Sequence, residues 1–310
     1  MSAFAQLARA REQWVFVHEE FVIGRFRCPP GAPAWSTVNH VGGSWPLLVY
    51  PGVPVRITQL GREPIVADTS MAVLYPPGQE YRRGVVSERG DECIYFAVSS
   101  DLVRDAWAEH DRAVAERSEI DFGRSSVPID PQTYLLHHLL LRYVTAPSPD
   151  PLATAEALYD LVSRTAAGAA TGKLVDRDRG SCSRERTRSA HRDVIEAVRE
   201  LIGRRLTERL LLADVAAAVN LSPFHLARLF RDHTGTTIHE YRTRQRLIAA
   251  VGRLDDPGQD LSDLAVDLGF SHHSHFTNSF RRLFGLPPAT LRTAVAKPST
   301  ILQALRPRGL

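Results

Sequence analysis

The chain has 310 residues, 44% apolar and 24% charged, with 38 Lys and Arg against 35 Asp and Glu for a formal net charge of +3. That balance excludes disorder and collagen-like repeats, and the length suggests about two domains at the usual ~100–200 residues each. No uninterrupted apolar window of ~18 residues occurs, and the first residues lack a basic segment followed by an apolar core, so neither a membrane span nor a signal peptide is expected; the expected location is cytoplasmic.

From Phe21 to Val98 short apolar or alternating runs predict strands at Phe21–Cys28, Leu47–Tyr50, Val53–Leu60, Ile65–Ala67, Met71–Tyr75 and Cys93–Val98. Turn clusters such as Pro29-Pro30-Gly31, Pro51-Gly52, Pro76-Pro77-Gly78 and Arg89-Gly90-Asp91 separate them, which is the spacing of a β-barrel or sandwich. Asp101–Arg117, Pro131–Val144 and Pro151–Ala167 carry apolar residues at helical intervals and predict flanking helices. Trp14, Trp35, Trp45, Tyr50, Tyr75, Tyr81 and Tyr95 are core or rim aromatics that can equally line a pocket, and Tyr81, Arg82 and Arg83 are the candidates for holding an effector, an anionic one above all. Adjacent helical residues point to different faces, so His137 and His138 read as core or interface histidines.

Cys28, Cys93 and Cys182 are odd in number and widely spaced, against a disulfide framework or a CxxC site. No cofactor and no metal are expected. Cys28, His40 and Cys93 are the weak metal candidates; as thiols, Cys28 and Cys93 read first as small buried hydrophobes.

Charge then changes sign along the chain. Residues 1–183 hold 18 basic and 22 acidic side chains, net −4, whereas 184–310 hold 20 and 13, net +7. The basic half is the one suited to a polyanion. Lys173–Ser189 alternates charge with little apolar material and reads as part of a linker over residues 169–189. From Ala190 the pattern is helical, broken at Gly235, Pro257-Gly258, Gly269 and Pro287-Pro288.

That half contains a repeat. Leu212–Ala216 matches Leu261–Ala265 at an offset of 49, while Leu226, Phe230 and Gly235 match Phe276, Phe280 and Gly285 at an offset of 50, so one residue enters at the turn. Each copy reads as helix, tight turn, helix, with Ser222 and Ser271 as N-caps and Pro223 at a first helical position. Leu226, Leu229 and Phe230, and Phe276, Phe280 and Leu283, should face inward; Phe224, Ala227, Arg228 and Arg231, and Ser274, Thr277, Asn278 and Arg281, outward. Ile238–Leu254 gives a helical spacer of roughly 25 Å at 1.5 Å per residue. A major groove admits one helix, and two helices on a rigid spacer can enter successive grooves roughly 34 Å apart.

The runs Leu221–Leu247 and Leu261–Arg292, with their Ser-Pro-x-x-Leu-x-Arg-x-Phe core, Gly-Phe-Ser turn and closing Phe-Gly-x-x-Pro, resemble the DNA-binding domain of the AraC/XylS family of bacterial transcription regulators. The resemblance covers about 100 residues, and the N-terminal half resembles more loosely the cupin-like sensing domain that many members carry. It implies a β plus α chain: a cupin-like sensing and dimerisation domain with helical extension (1–168), the linker, a double helix-turn-helix domain (190–296) and a tail (297–310). It implies base reading by Phe224, Ala227 and Arg228 in the first unit and by His273, Ser274, Thr277 and Asn278 in the second. Ser222, Arg231, Ser271 and Arg281 are the expected phosphate contacts. Leu211 departs from the family's capping Ser or Thr, and Asn278 stands where Arg is frequent.

The expected function is therefore sequence-specific transcriptional regulation by a non-enzyme, modulated by a small-molecule effector or other signal at the β domain. Expected partners are double-stranded promoter DNA, an effector, RNA polymerase and a second copy of the chain, with no membrane. Two other classes fit the sequence less well: for a cupin-type metalloenzyme it lacks an HxH pair, and for a repair protein with an alkyl-accepting Cys it lacks the N-terminal Cys cluster. His272, His273 and His275 have no Cys or acidic partner at zinc spacing and read as polar or DNA-facing.

Overall fold

The computed structural model describes residues 12–172, 182–254, 256 and 258–296. Among the described residues two compact units are present, one of residues 12–172 with 289–296 and one of residues 182–288.

Among the described residues the first unit contains ten strands: β1 (Glu12–Val17), β2 (Phe21–Cys28), β3 (Asn39–His40), β4 (Leu47–Pro51), β5 (Val55–Gln59), β6 (Ile65–Ala67), β7 (Met71–Tyr75), β8 (Glu80–Val85), β9 (Asp91–Val98) and β10 (Ser126–Pro128). They form a six-stranded sheet in the order β1-β2-β9-β4-β7-β10 and a four-stranded sheet in the order β3-β8-β5-β6. All pairings are antiparallel, the longest running from Phe21↔Val98 to Cys28↔Asp91. Neither sheet closes on itself, so the barrel alternative is corrected to two open sheets sharing a core. Val55 and Ile57 from one sheet and Met71, Val73 and Tyr75 from the other meet in that core.

The larger sheet is covered on both faces, which explains why β7, Met-Ala-Val-Leu-Tyr, is buried at every position instead of alternating. Its outer cover is helical: α3 (Pro131–Val144) and α4 (Pro151–Gly172) pack there, following α1 (Ser100–Ala108) and α2 (Arg112–Ala115). Tyr50 on β4 joins the layers, with its ring flat on His137 at 4.6 Å and its hydroxyl 2.7 Å from Thr165 Oγ1. His137 and His138 are both buried, as expected, and burial together with His138 holds His137 well below the usual imidazole range. The single helix expected over Asp101–Arg117 is two, because the chain turns at His110-Asp111, whose amides donate to the Trp107 carbonyl at 2.9 and 2.7 Å.

The second unit is helical: α5 (Cys182–Arg204), α6 (Leu212–Ala218), α7 (Pro223–Thr234), α8 (Ile238–Arg253), α9 (Leu261–Asp267) and α10 (His273–Phe284); α11 (Pro288–Ala296) follows. The stretch read as a linker is helical at both ends, through Gly172 and from Cys182, and its middle, with the tail 297–310, lies outside the described residues. The first helix-turn-helix closes around Ile195, Val198, Val215, Leu226, Phe230 and Tyr241. The second closes around a ladder of rings, Phe270, Phe276, Phe280 and Phe284, with successive centroids 5.4, 5.7 and 4.6 Å apart.

Candidate nucleic-acid interface

The two copies of the repeat fold alike at their backbones. Asn220 (φ 54°) and Gly269 (φ 77°) take the left-handed conformation at the two inter-helix turns. Gly235 and Gly285 take it again where α7 and α10 stop, each donating its amide to the carbonyl of the Arg four residues earlier at 2.8 Å. Without a Cβ, Gly enters this region at no steric cost, which fixes where both helices end.

The N-termini differ. Ser222 caps α7, its Oγ accepting from the His225 amide at 3.2 Å, and Pro223 occupies the first helical position. The expected equivalent role for Ser271 is not found: α10 begins one residue later, its N-cap is His272, and no side chain caps it. The physical reason is the residue that shifts the repeat offset from 49 to 50. It enters here, pushing Ser271 back into the turn. Leu211 stands at the N-cap of α6 and cannot accept a bond; the Asp214 carboxylate compensates by accepting from the Leu211 amide at 3.3 Å. α8 begins on a reciprocal capping pair, Thr237 with Glu240, and these bonds hold the Glu240 carboxyl below its ordinary range.

The inward sets hold with one correction: Leu226, Leu229, Phe230, Phe276 and Phe280 are buried, but Leu283 is half-buried and Phe284 takes the core position. On the outward faces Phe224 is 78% exposed, Arg228, Arg231, Ser274, Asn278 and Arg281 are exposed, and Ala227 and Thr277 are half-buried. His273, Ser222 and Ser271 are exposed as well. His273 Nε2 lies 3.4 Å from Thr277 Oγ1, one turn on along the same face of α10. His275 is exposed and sets its ring edge-on to Phe270 at 5.4 Å.

Beside α7 runs a groove of about 630 Å³ whose walls include Leu211, Phe224, Arg228, Arg231, Ile238 and Arg242. No carboxylate is among its lining residues, whereas three arginines, Arg228, Arg231 and Arg242, are. The sequence reading missed its contribution from Leu211 and Arg242, because only the tertiary packing of α5, α6 and α8 places these beside α7. The spacing Arg242, Arg246 on one helix face was the available signal.

Inside the β-sandwich, the three effector candidates separate. Strand alternation turns Arg82 out to solvent, whereas Tyr81 and Arg83 face a chamber of about 50 Å³ shared with Tyr75, Asp91, Cys93 and Tyr95. Tyr50, by contrast, faces the helices. Arg83 is buried and engaged: Nη1 donates to Asp91 Oδ2 at 2.9 Å, Nη2 to the Tyr81 hydroxyl at 2.5 Å, and the guanidinium lies 4.3 Å over the Phe26 ring. An arginine so neutralised is not a vacant receptor for an anion. Burial pushes the Asp91 carboxyl up to about 6, the Arg83 charge opposing the rise, and pushes Tyr81 up to about 12.

Cys28, Cys93 and His40 do not converge. The β2–β9 register pairs Cys28 with Asp91 and Cys93 with Phe26, a diagonal relation that separates side chains by roughly 7–8 Å, and no disulfide joins them. His40 is exposed on β3, in the other sheet. Burial, then Asp91, raises the Cys93 thiol well above its usual range. Among the described residues no group of three or more His, Cys, Asp or Glu is placed to hold a metal. Among them, too, no helix is long and apolar enough to cross a membrane.

A family model described as a helix-turn-helix domain matches residues 215–294. The chain is 32% identical over 93 residues to the probable transcription factor PqrA of Proteus vulgaris, covering 30% of this chain and 76% of that one. It is 33% identical over 130 residues to XylDLEGF operon transcriptional activator 1 of Pseudomonas putida, covering 41% of this chain but only 39% of the activator's length. A solved AraC-type transcriptional regulator from Chromobacterium violaceum shares 26% identity, with 36% of this chain and 98% of that one covered and a TM-score of 0.33.

Proposed function

The chain belongs to the AraC/XylS family of DNA-binding transcriptional regulators, and from that premise we propose that its α7 and α10 enter successive major grooves of one promoter duplex. The observation that carries the reading is the pair of like-folded units, each presenting an exposed polar or basic face on its second helix. In it, Arg228 donates to a base edge, Phe224 and Ala227 supply apolar contact to thymine methyl groups, and Ser274, Thr277, Asn278 and His273 read the second groove. Ser222, Ser271, Arg231 and Arg281 hold phosphates, adding register without sequence information.

The sandwich takes the sensing role that the resemblance assigns to a cupin-like domain, in the cytoplasm, with RNA polymerase and a second copy of the chain as further partners. Its chamber is of the size that holds water, so an effector entering there must part the two sheets. Such a ligand changes DNA binding only through different affinity for two states.

The test is selection of duplexes from a random pool by the full chain, followed by titration in salt, where affinity should fall steeply as phosphate contacts release counterions. Arg228→Ala should lose about 1–3 kcal/mol on the selected site and relax preference at one or two base pairs. Arg281→Ala should weaken all sequences alike and lower the salt slope by about one phosphate contact. Unchanged site preference in Arg228→Ala would remove its reading role.

A further inference from the structure

Arg246 sits midway along α8, the helix that spaces the two units, and its guanidinium is spent on three backbone carbonyls. Nε donates to Leu206 at 2.8 Å, Nη2 to Glu208 at 3.2 Å and Nη1 to Gly269 at 2.8 Å. Leu206 and Glu208 belong to the connection from α5 into the first helix-turn-helix; Gly269 is the turn of the second. One planar fork therefore ties the spacer to both units at once, and the bonds are charge-assisted and directional. Arg242, one turn earlier, reinforces the first tie with Nε 3.2 Å from the Leu206 carbonyl.

The joint is closed sterically as well. A Cβ built on Gly269 would lie 2.6 Å from Arg246 Nη2 and 2.6 Å from the Thr207 carbonyl oxygen, closer than real Cβ contacts come. Gly269 also has φ 77°, so two separate demands put glycine here. The turn of the second helix-turn-helix thus rests against the entry loop of the first helix-turn-helix with the guanidinium wedged beside it. From Gly269 the chain reaches the first residue of α10 in four steps, so a shift at this joint is transmitted directly to the N-terminal turn of that helix.

We infer that Arg246, with the Gly269 turn it holds, is a positioning residue that sets the separation and tilt of α7 and α10, and so fixes the half-site spacing the protein accepts, without reading a base. This rests on the proposed bipartite reading of DNA. Hydrophobic packing of α8 against α7 and α10 keeps the units together, but it is non-directional. The three carbonyl bonds are what select one relative orientation.

The experiment measures the full chain and its Arg246→Lys and Gly269→Ala variants on three duplexes: the site selected by the wild type, and that site with one base pair added or removed between its halves. One base pair moves the second groove by about 3.4 Å and about a tenth of a turn, and the wild type should lose roughly tenfold or more in affinity for either altered duplex. Lys keeps the charge and most of the stem but has no fork. In both variants affinity for the selected site should fall about tenfold, and the ratio between duplexes should compress to within about threefold, with base preferences inside each half unchanged.

A purely structural role predicts otherwise, because a smaller folded fraction lowers binding to all three duplexes equally and leaves the ratio intact. An intact ratio overturns the inference, as does a wild type indifferent to spacing or a pair of variants that form no complex at all. A wild type that selects no duplex fails the proposed function itself, a different result.

Discussion

Asp91→Ala should destabilise the β-sandwich unit by about 3–5 kcal/mol, because it leaves the Arg83 guanidinium buried without its counter-ion. Both side chains are nearly inaccessible, at 3% and 6% exposure, so water cannot take over the lost contact. The pair is not itself a large source of stability, since removing two charges from water costs about what their attraction returns. Hence Asp91→Ala combined with Arg83→Met should recover most of the loss and end between neutral and about 4 kcal/mol more stable than the wild type. Urea unfolding followed by tryptophan fluorescence measures both. A double variant as unstable as Asp91→Ala alone would show that Arg83 contributes through its stacking on Phe26 and its bond to Tyr81 instead.

Burial of the same pair gives the unit a pH dependence whose sign follows from the raised Asp91 carboxyl. Burial raises the folded-state Asp91 carboxyl to about 6 from an ordinary value of 3.8. Between these values the native state holds a proton that the unfolded chain releases. Stability from this group therefore falls as pH rises from about 4 to about 6 and is level above that. Asp91→Asn removes the titration, and its stability should lack this component over the same interval. Identical slopes in wild type and Asp91→Asn would contradict the assignment.

Phe280→Ala is expected to cost about 3–5 kcal/mol and to dismantle the second helix-turn-helix. Phe280 is fully buried and lies between Phe276 and Phe284, so its loss empties the middle of the ring ladder that seats α10. The first helix-turn-helix has its own core, built from α5, α6, α7 and α8, and Phe280 is no part of it. DNA selection by this variant should therefore keep the base preferences of the half read by α7 and lose those of the half read by α10. Loss of both halves together would mean that the two helix-turn-helix copies fold as one.

Much of this molecule is decided by short-range chemistry that a sequence carries openly. Alternation in Val55–Gln59, the Ser222-Pro223 helix start, and Gly235 and Gly285 each following an amphipathic helix are local patterns, and each has the expected conformation. The repeat is legible for the same reason: both copies need the same inward residues to close a core. What stayed hidden depends on partners distant in the chain. β8, Glu-Tyr-Arg-Arg-Gly-Val, has no apolar alternation and becomes a strand because β5 and β3 supply its ladder bonds. β3 and β10 are likewise short strands whose pairing comes from elsewhere in the chain. The Arg82-Arg83 pair looks uniform in sequence, yet pleating sends one side chain to water and the other onto Asp91. Ser271 has the composition of a cap but loses the place to one inserted residue. The triple carbonyl bond of Arg246 joins segments that only the packing of α8 against both units brings within reach. Hydrophobic period and turn chemistry act over a few residues and so determine elements; sheet order, buried charge pairing and the joint between the units arise when those elements meet, and only the tertiary structure decides them.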